Sequence, residues 1–188
     1  MTVKLLSLTK STFLETATFF CGNSLALEIV MQRLSGVVST QSGYTLGTKS
    51  NPVYSEVQTG RTGHVEAVQV RFHHARYRDL VTAFLFNADI GYLDRQRQDG
   101  NVRHKIGICY HSEAQRSEAE LMVAGFKASK GTEMYGPMGE TAGNIEWTIE
   151  VLPNATFWRA EERYQQYLEK TGQLATKGAV EPVYVSHD

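Results

Sequence analysis

The spacing of apolar residues changes twice between positions 17 and 43, and this change restricts the fold more than any other feature of the chain. Residues 17–21 form an apolar run typical of a short strand, which Gly22 ends. From Ser24 the apolar side chains recur at the spacing of an amphipathic helix, which Gly36 stops. A β-branched run then predicts a second strand over 36–43. A chain of this kind packs helices against a sheet.

Strands and helices continue to alternate further along, without the regular spacing of βαβ units. Strands are predicted over 66–72, 103–110 and 146–151, helices over 76–86, 112–129 and 160–170, and loops over 43–63 and 87–101. This order predicts an α+β fold in which helices pack on a mixed sheet. We expect one domain over 1–188, with a loosely structured tail over 173–188.

The composition excludes several classes of protein. The 188 residues suffice for a hydrophobic core without disulfides or a structural metal. The net charge of −1 argues against a nucleic-acid partner. No apolar stretch is long enough for a membrane span and no signal peptide is visible, so we expect a cytoplasmic protein. The two cysteines, Cys21 and Cys109, exclude a disulfide framework and a Cys-rich zinc site. We expect a small-molecule substrate and no cofactor or metal, and the oligomeric state is not predicted.

Glu66 is the first candidate for chemistry. Strand alternation places it on the same face as the apolar Val68, Val70 and Phe72. A carboxyl group on such a face is desolvated, which raises its pKa and lets it hold a proton near neutral pH. The alternative is a carboxylate at a strand end that pairs with Arg61.

His104 and Asp99 are weaker candidates. His104 shares a strand face with Ile106 and Ile108, where a histidine is either a hydrogen-bonded core residue or a proton shuttle. Cys109 points to the opposite face, so it and His104 do not share a site. Asp99 ends a polar loop that is typical of a solvated segment.

Asn23 and Ser24 lie at the junction of the first strand and helix. Helix capping explains both residue types at this position. A helix N-terminus also stabilises a thiolate or an oxyanion, so it is a place where a nucleophilic cysteine is expected.

Five short sequence motifs follow one another along the chain. They are Gly-Val-Val-Ser-Thr at 36–40 followed by Gly43-Tyr44, Asn-Pro-Val-Tyr-Ser-Glu-Val at 51–57, Gly-Arg-Thr-Gly-His-Val-Glu-Ala-Val at 60–68, Tyr-His-Ser-Glu at 110–113, and Phe-Trp-Arg-Ala-Glu-Glu at 157–162 with Gln-Gln-Tyr-Leu at 165–168. Together they resemble the peptide methionine sulfoxide reductase A family, over about residues 17–170. The resemblance implies an α+β domain with a ferredoxin-like core.

The resemblance also implies a site. In that family a cysteine attacks the sulfoxide sulfur, a buried glutamate protonates the oxygen, and tyrosines bind that oxygen. Glu66 falls on the family's glutamate and Tyr44 on one of its tyrosines. Asp99 falls on the family's aspartate, and His104 occupies the place of the second tyrosine.

The chain departs from the family at the nucleophile. The family motif GCFWGxE resembles Gly-Asn-Ser-Leu-Ala-Leu-Glu at 22–28, so Asn23 stands at the cysteine position and Ser24-Leu25 replace Phe-Trp. An asparagine cannot form a sulfenic acid. Cys21 lies two residues upstream, the family's C-terminal resolving cysteines are missing, and the loss of the Phe-Trp pair predicts a wider cavity.

Three functions remain open at this point. We expect a diverged acid/base enzyme of the isomerase, cyclase or lyase type, with Glu66, His104, Asp99 and Tyr44 as catalytic groups. In it Asn23 is an amide donor, and the junction residues Asn23, Ser24 and Leu25 bind the substrate. The alternative is a residual peptide methionine (S)-sulfoxide reductase that acts through Cys21. The second alternative is a binding module without catalysis.

Overall fold

Six strands form one mixed sheet in the computed structural model, which describes residues 13–73, 76–87, 105–130 and 149–171. The predicted polar loop with Asp99, the position of His104 and the tail after Gly172 lie outside the described residues. The strands are β1 (Leu14–Phe20), β2 (Val37–Thr45), β3 (Val65–His73), β4 (Ile106–Tyr110), β5 (Ile149–Pro153) and β6 (Trp158–Arg159). The helices are α1 (Ser24–Gln32), α2 (Tyr54–Val57), α3 (Tyr77–Asn87), α4 (Glu113–Lys130) and α5 (Tyr167–Thr171), with a 3₁₀ turn at Glu162–Tyr164.

The strand order across the sheet is β5-β4-β1-β3-β2-β6. Only β4 and β5 run parallel among the pairs in the described sheet, and the other neighbours are antiparallel. The four central strands, with α1 and α3 between them along the chain, have the β-α-β-β-α-β order of a ferredoxin-like unit. The predicted α+β fold is therefore confirmed.

The main core lies between one face of the sheet and helices α1, α3 and α4. Phe19, Val68 and Val70 contribute from the sheet, while Leu27 and Phe84 contribute from α1 and α3. Side chains alternate along a strand, so each strand that carries this core has its other residues on the opposite face. That face holds a smaller buried cluster built from Phe20, Ala67 and Cys109.

Two sequence-based predictions fail at their boundaries. The segment 43–63 is not a continuous loop, because β2 continues to Thr45 in register with β3 and the helix α2 forms within the segment. The single helix predicted over 160–170 is also wrong. The side chain of Gln165 bonds both main-chain groups of Ser42, and Gln166 has a positive φ of 53°, so the helix is interrupted there.

Candidate active site

Cys21, Glu66 and Tyr44 lie in one row across three strands. Glu66 of β3 is paired with Tyr44 of β2, and the backbone N–H of Cys21 donates to the carbonyl oxygen of Glu66 at 3.2 Å, which continues the β1–β3 register by one residue. Residues directly opposite on neighbouring antiparallel strands present their side chains on the same face, about 5 Å apart at Cβ. The three side chains therefore lie side by side on the face that carries α1.

Ser24, the first residue of α1, holds the Glu66 carboxyl group. Its hydroxyl donates to Oε2 of Glu66 at 2.7 Å, and its backbone N–H donates to the same oxygen at 3.3 Å. Burial raises the pKa of Glu66, and the two bonds from Ser24 oppose that rise. The expected pKa direction is confirmed, whereas the alternative pairing with Arg61 is wrong because the carboxyl group faces the start of α1.

Asn23 caps helix α1, as its residue type predicts. Its Oδ1 accepts from the backbone N–H of Ala26 at 3.2 Å. Leu25 is half-buried and packs with Ile29 and Leu168 between α1 and α5. The assignment of Asn23, Ser24 and Leu25 to substrate binding stays a prediction.

Tyr44 is almost completely buried, and its hydroxyl donates to Glu161 at 2.8 Å. Glu161 also accepts from the backbone N–H of Tyr54 at 3.1 Å, so it joins β2 to the start of α2. Burial, followed by the bond to Glu161, raises the pKa of Tyr44 far above the ordinary value for a phenol. Tyr44 is therefore a neutral hydrogen-bond donor throughout the physiological range.

Sequence reasoning missed the contact of Glu161 with this site. The residue lies in the Phe-Trp-Arg-Ala-Glu-Glu motif, which indicates the family but not a partner for the carboxylate. Burial opposes ionisation of Glu161, but its backbone bond and the hydrogen bond from Tyr44 hold its pKa below the ordinary value. A carboxylate at this place keeps the Tyr44 hydroxyl fixed.

Cys109 lies on the other face of the sheet, as the strand alternation predicts. It is buried with Phe20 and Ala67, and burial raises its pKa to about 12. A thiol in that state is protonated at neutral pH and separated from Glu66 by the sheet. Cys21 is thus the cysteine beside the carboxyl group.

No three His, Cys, Asp or Glu side chains converge to hold a metal ion within the residues that the structure describes. Over the same residues, no helix is long and apolar enough to cross a membrane. A cleft of about 590 Å³ opens on the sheet face opposite Glu66, lined by residues that include Gln41, Gln69 and Phe157. The wider cavity expected beside Ser24 and Leu25 stays a prediction.

Known proteins resemble this chain in sequence over most of its length. A family model described as peptide methionine sulfoxide reductase matches residues 15–184. The chain is 40% identical over 161 residues to peptide methionine sulfoxide reductase MsrA of Methanoculleus marisnigri, which covers 85% of this chain and 92% of the relative. It is 36% identical over 162 residues to the MsrA protein of Acidobacterium capsulatum, which covers 85% of this chain and 96% of the relative.

The solved structures agree with these sequence relatives. Methionine sulfoxide reductase A of Corynebacterium diphtheriae superimposes with a TM-score of 0.64 at 25% identity, over 85% of this chain and 76% of that structure. Mxr1 from Saccharomyces cerevisiae in its reduced form has the same fold, with a TM-score of 0.58 at 19% identity over 85% of this chain and 87% of that structure.

Proposed function

This chain belongs to the peptide methionine sulfoxide reductase family, and we propose that it reduces methionine sulfoxide with Cys21 as the sulfur nucleophile and Glu66 as the acid. The observation that carries the proposal is the row formed by Cys21, Glu66 and Tyr44 on one face of the sheet. A thiol nucleophile and a buried acid side by side are the groups that sulfoxide reduction needs, and Tyr44 lies beside them with its hydroxyl hydrogen bonded to Glu161.

The diverged isomerase, cyclase or lyase expected from the sequence is wrong. Relatives that are 34% to 40% identical over most of the chain bear the name of peptide methionine sulfoxide reductase. They favour the alternative of a reductase that acts through Cys21. The amide of Asn23 cannot act as a nucleophile, and it is already occupied as the cap of α1.

The proposed step transfers one oxygen atom from the substrate to the protein. The Cys21 thiolate attacks the sulfoxide sulfur while Glu66 gives its proton to the sulfoxide oxygen. The sulfur–oxygen bond of the substrate breaks, the hydroxyl group passes to Cys21, and the products are a thioether and a Cys21 sulfenic acid. The substrate sulfur is reduced by two electrons and the thiol sulfur is oxidised by two.

An external dithiol completes the cycle in this proposal. One thiol condenses with the sulfenic acid to form a mixed disulfide and water, and the second thiol releases Cys21 as the reduced form. Cys109 does not serve as the resolving thiol, because the sheet lies between it and Glu66. The net reaction converts a sulfoxide and a dithiol into a thioether, a disulfide and water.

The test compares two matched cysteine variants. With dithiothreitol as the reductant and the separate epimers of a methionine sulfoxide peptide as substrates, we expect Cys21→Ser to lose at least about a thousand-fold in turnover. We expect Cys109→Ser to keep turnover close to that of the wild type. Dimedone added with substrate and without dithiothreitol is expected to label Cys21, which peptide mass spectrometry locates.

Two results contradict the proposal. Turnover that survives in Cys21→Ser excludes this thiol as the nucleophile. A folded wild type that binds the peptide without turning over either epimer favours the binding module instead.

A further inference from the structure

Both hydrogen bonds that Ser24 gives to Glu66 end on the same carboxyl oxygen. The hydroxyl and the backbone N–H of Ser24 lie 2.7 Å and 3.3 Å from Oε2. Ser24 is 4% exposed, so water does not compete with these bonds. The side chain replaces an apolar residue that the family motif leads one to expect, and a hydroxyl in this place adds a donor beside the acid.

The other carboxyl oxygen of Glu66, Oε1, differs from Oε2 in its hydrogen bonding. Oε1 has no hydrogen-bond partner among the residues that the structure describes, whereas Oε2 already accepts two. A proton on Oε2 would be directed at two donors, so the neutral carboxyl group carries its proton on Oε1. The two oxygens therefore have distinct roles.

We propose that Ser24 is a positioning residue for the acid, which fixes Oε2 of Glu66 and so makes Oε1 the oxygen that delivers the proton. This inference rests on the proposed reductase function. When the proton leaves Oε1 for the sulfoxide oxygen, one negative charge stays on the carboxylate. Ser24 stabilises that charge through the hydroxyl on Oε2, because hydrogen bonds to an ionised group are stronger than those to a neutral one.

Burial and the hydrogen bonds from Ser24 act on the pKa of Glu66 in opposite directions. Burial favours the protonated form that can act as an acid, and the Ser24 hydroxyl favours the carboxylate that remains after transfer. Removal of the hydroxyl alone, with the backbone N–H kept, makes Glu66 a weaker acid. A weaker acid stays protonated to higher pH but transfers its proton more slowly.

The experiment uses Ser24→Ala, with Ser24→Thr as the conservative variant that restores a hydroxyl. In Ser24→Ala we expect the pH at which Glu66 loses its proton to rise by about one to two units, and kcat to fall by about ten-fold or more. In Ser24→Thr we expect both quantities to return toward the wild type. Ser24→Gly, which also keeps the backbone N–H, repeats the test if Ser24→Ala does not fold.

Ser42→Ala is the matched control. Its hydroxyl also donates to a buried carboxylate, that of Glu28 at 2.9 Å, but it does not bond Glu66. We expect this variant to lose stability without moving the pH midpoint of kcat. An equal displacement of the midpoint in both serine variants contradicts the proposal, since it would show a general effect of a lost buried hydroxyl.

A measurement without turnover separates this proposal from the reductase function. The carboxyl carbon of Glu66 is titrated by NMR in protein labelled with ¹³C-glutamate, and its signal is assigned by its absence in Glu66→Gln. An unchanged titration in Ser24→Ala overturns the positioning role even if the wild type is an active reductase. If Ser24→Ala displaces the titration of Glu66 but the wild type shows no reductase activity, the catalytic role is overturned and only a structural contact remains.

Discussion

At the scale of single residues, Glu66 combines a buried position with donors to one of its oxygens. Burial raises its pKa more than the Ser24 bonds lower it, so the folded protein holds the proton more tightly than the unfolded chain does. The same burial that suits Glu66 to the proposed role of acid therefore links the stability of the fold to pH.

Glu66→Gln is expected to remove this pH dependence. Near the ordinary glutamate pKa of about 4.3 the unfolded chain begins to release its proton while the folded protein keeps it, so the free energy of unfolding falls as pH rises through the folded pKa. The variant has no such proton, and its stability relative to the wild type should rise over that window. Urea denaturation at a series of pH values from 4 to 8 measures the difference, and a constant difference contradicts the explanation.

At the scale of elements, the local patterns predict the strands and helices well but not the contacts between distant segments. Alternation places Glu66 with Val68 and Val70, and residue type predicts the cap at Asn23. The bond from Tyr44 to Glu161 spans 117 positions and that from Ser42 to Gln165 spans 123, so no local period contains them. Those contacts depend on β6 joining the edge of β2, which is a property of the assembled sheet.

Gly43 has no side chain and so allows β6 to lie close against the edge strand β2. A Cβ added at this position would overlap the ring of Phe157 and the carbonyl oxygen of Trp158, next to the pairing of β2 with β6. We expect Gly43→Ala to lower the free energy of unfolding by about 1–3 kcal/mol or to release β6 from the sheet, because backbone cannot yield as a flexible side chain does. Fluorescence of Trp158 and hydrogen exchange of β6 measure the two outcomes.

Gly125 supplies the matched control. It lies within helix α4, and a Cβ added there would enter open space, so Gly125→Ala should raise the free energy of unfolding by about 0.5–1 kcal/mol through helix propensity. If both alanine variants change stability in the same direction by the same amount, the overlap at β6 is not the cause.

At the scale of the whole molecule, one buried carboxylate joins the two ends of the described chain. Glu28 of α1 is 1% exposed and accepts from the hydroxyls of Thr40 and Ser42 and from the backbone N–H of Gln166. The segment that ends at Gln166 also carries Glu161, the partner of Tyr44. The position of the tyrosine beside Glu66 therefore depends also on the contacts of Glu28 with β2 and with the segment that carries Glu161.

Glu28→Ala tests this dependence. Its removal leaves two buried hydroxyl donors, those of Thr40 and Ser42, and the backbone N–H of Gln166 without their acceptor, so we expect the free energy of unfolding to fall by about 3 kcal/mol or more. Glu28→Gln preserves the volume and one acceptor oxygen and should lose less. Glu120→Ala removes an exposed carboxylate whose ion pair with Arg116 is screened by solvent and contributes little to stability, and it is the surface control.

Hydrogen exchange separates a local effect from general destabilisation in Glu28→Ala. Because the amide of Gln166 donates directly to Glu28, we expect protection to fall first over residues 158–166, while β4 keeps its protection. Loss of turnover should accompany the release of this segment, since Tyr44 then loses Glu161. Protection that falls equally in β4 and in residues 158–166 would show that the carboxylate stabilises the whole fold rather than docking the segment that holds Tyr44.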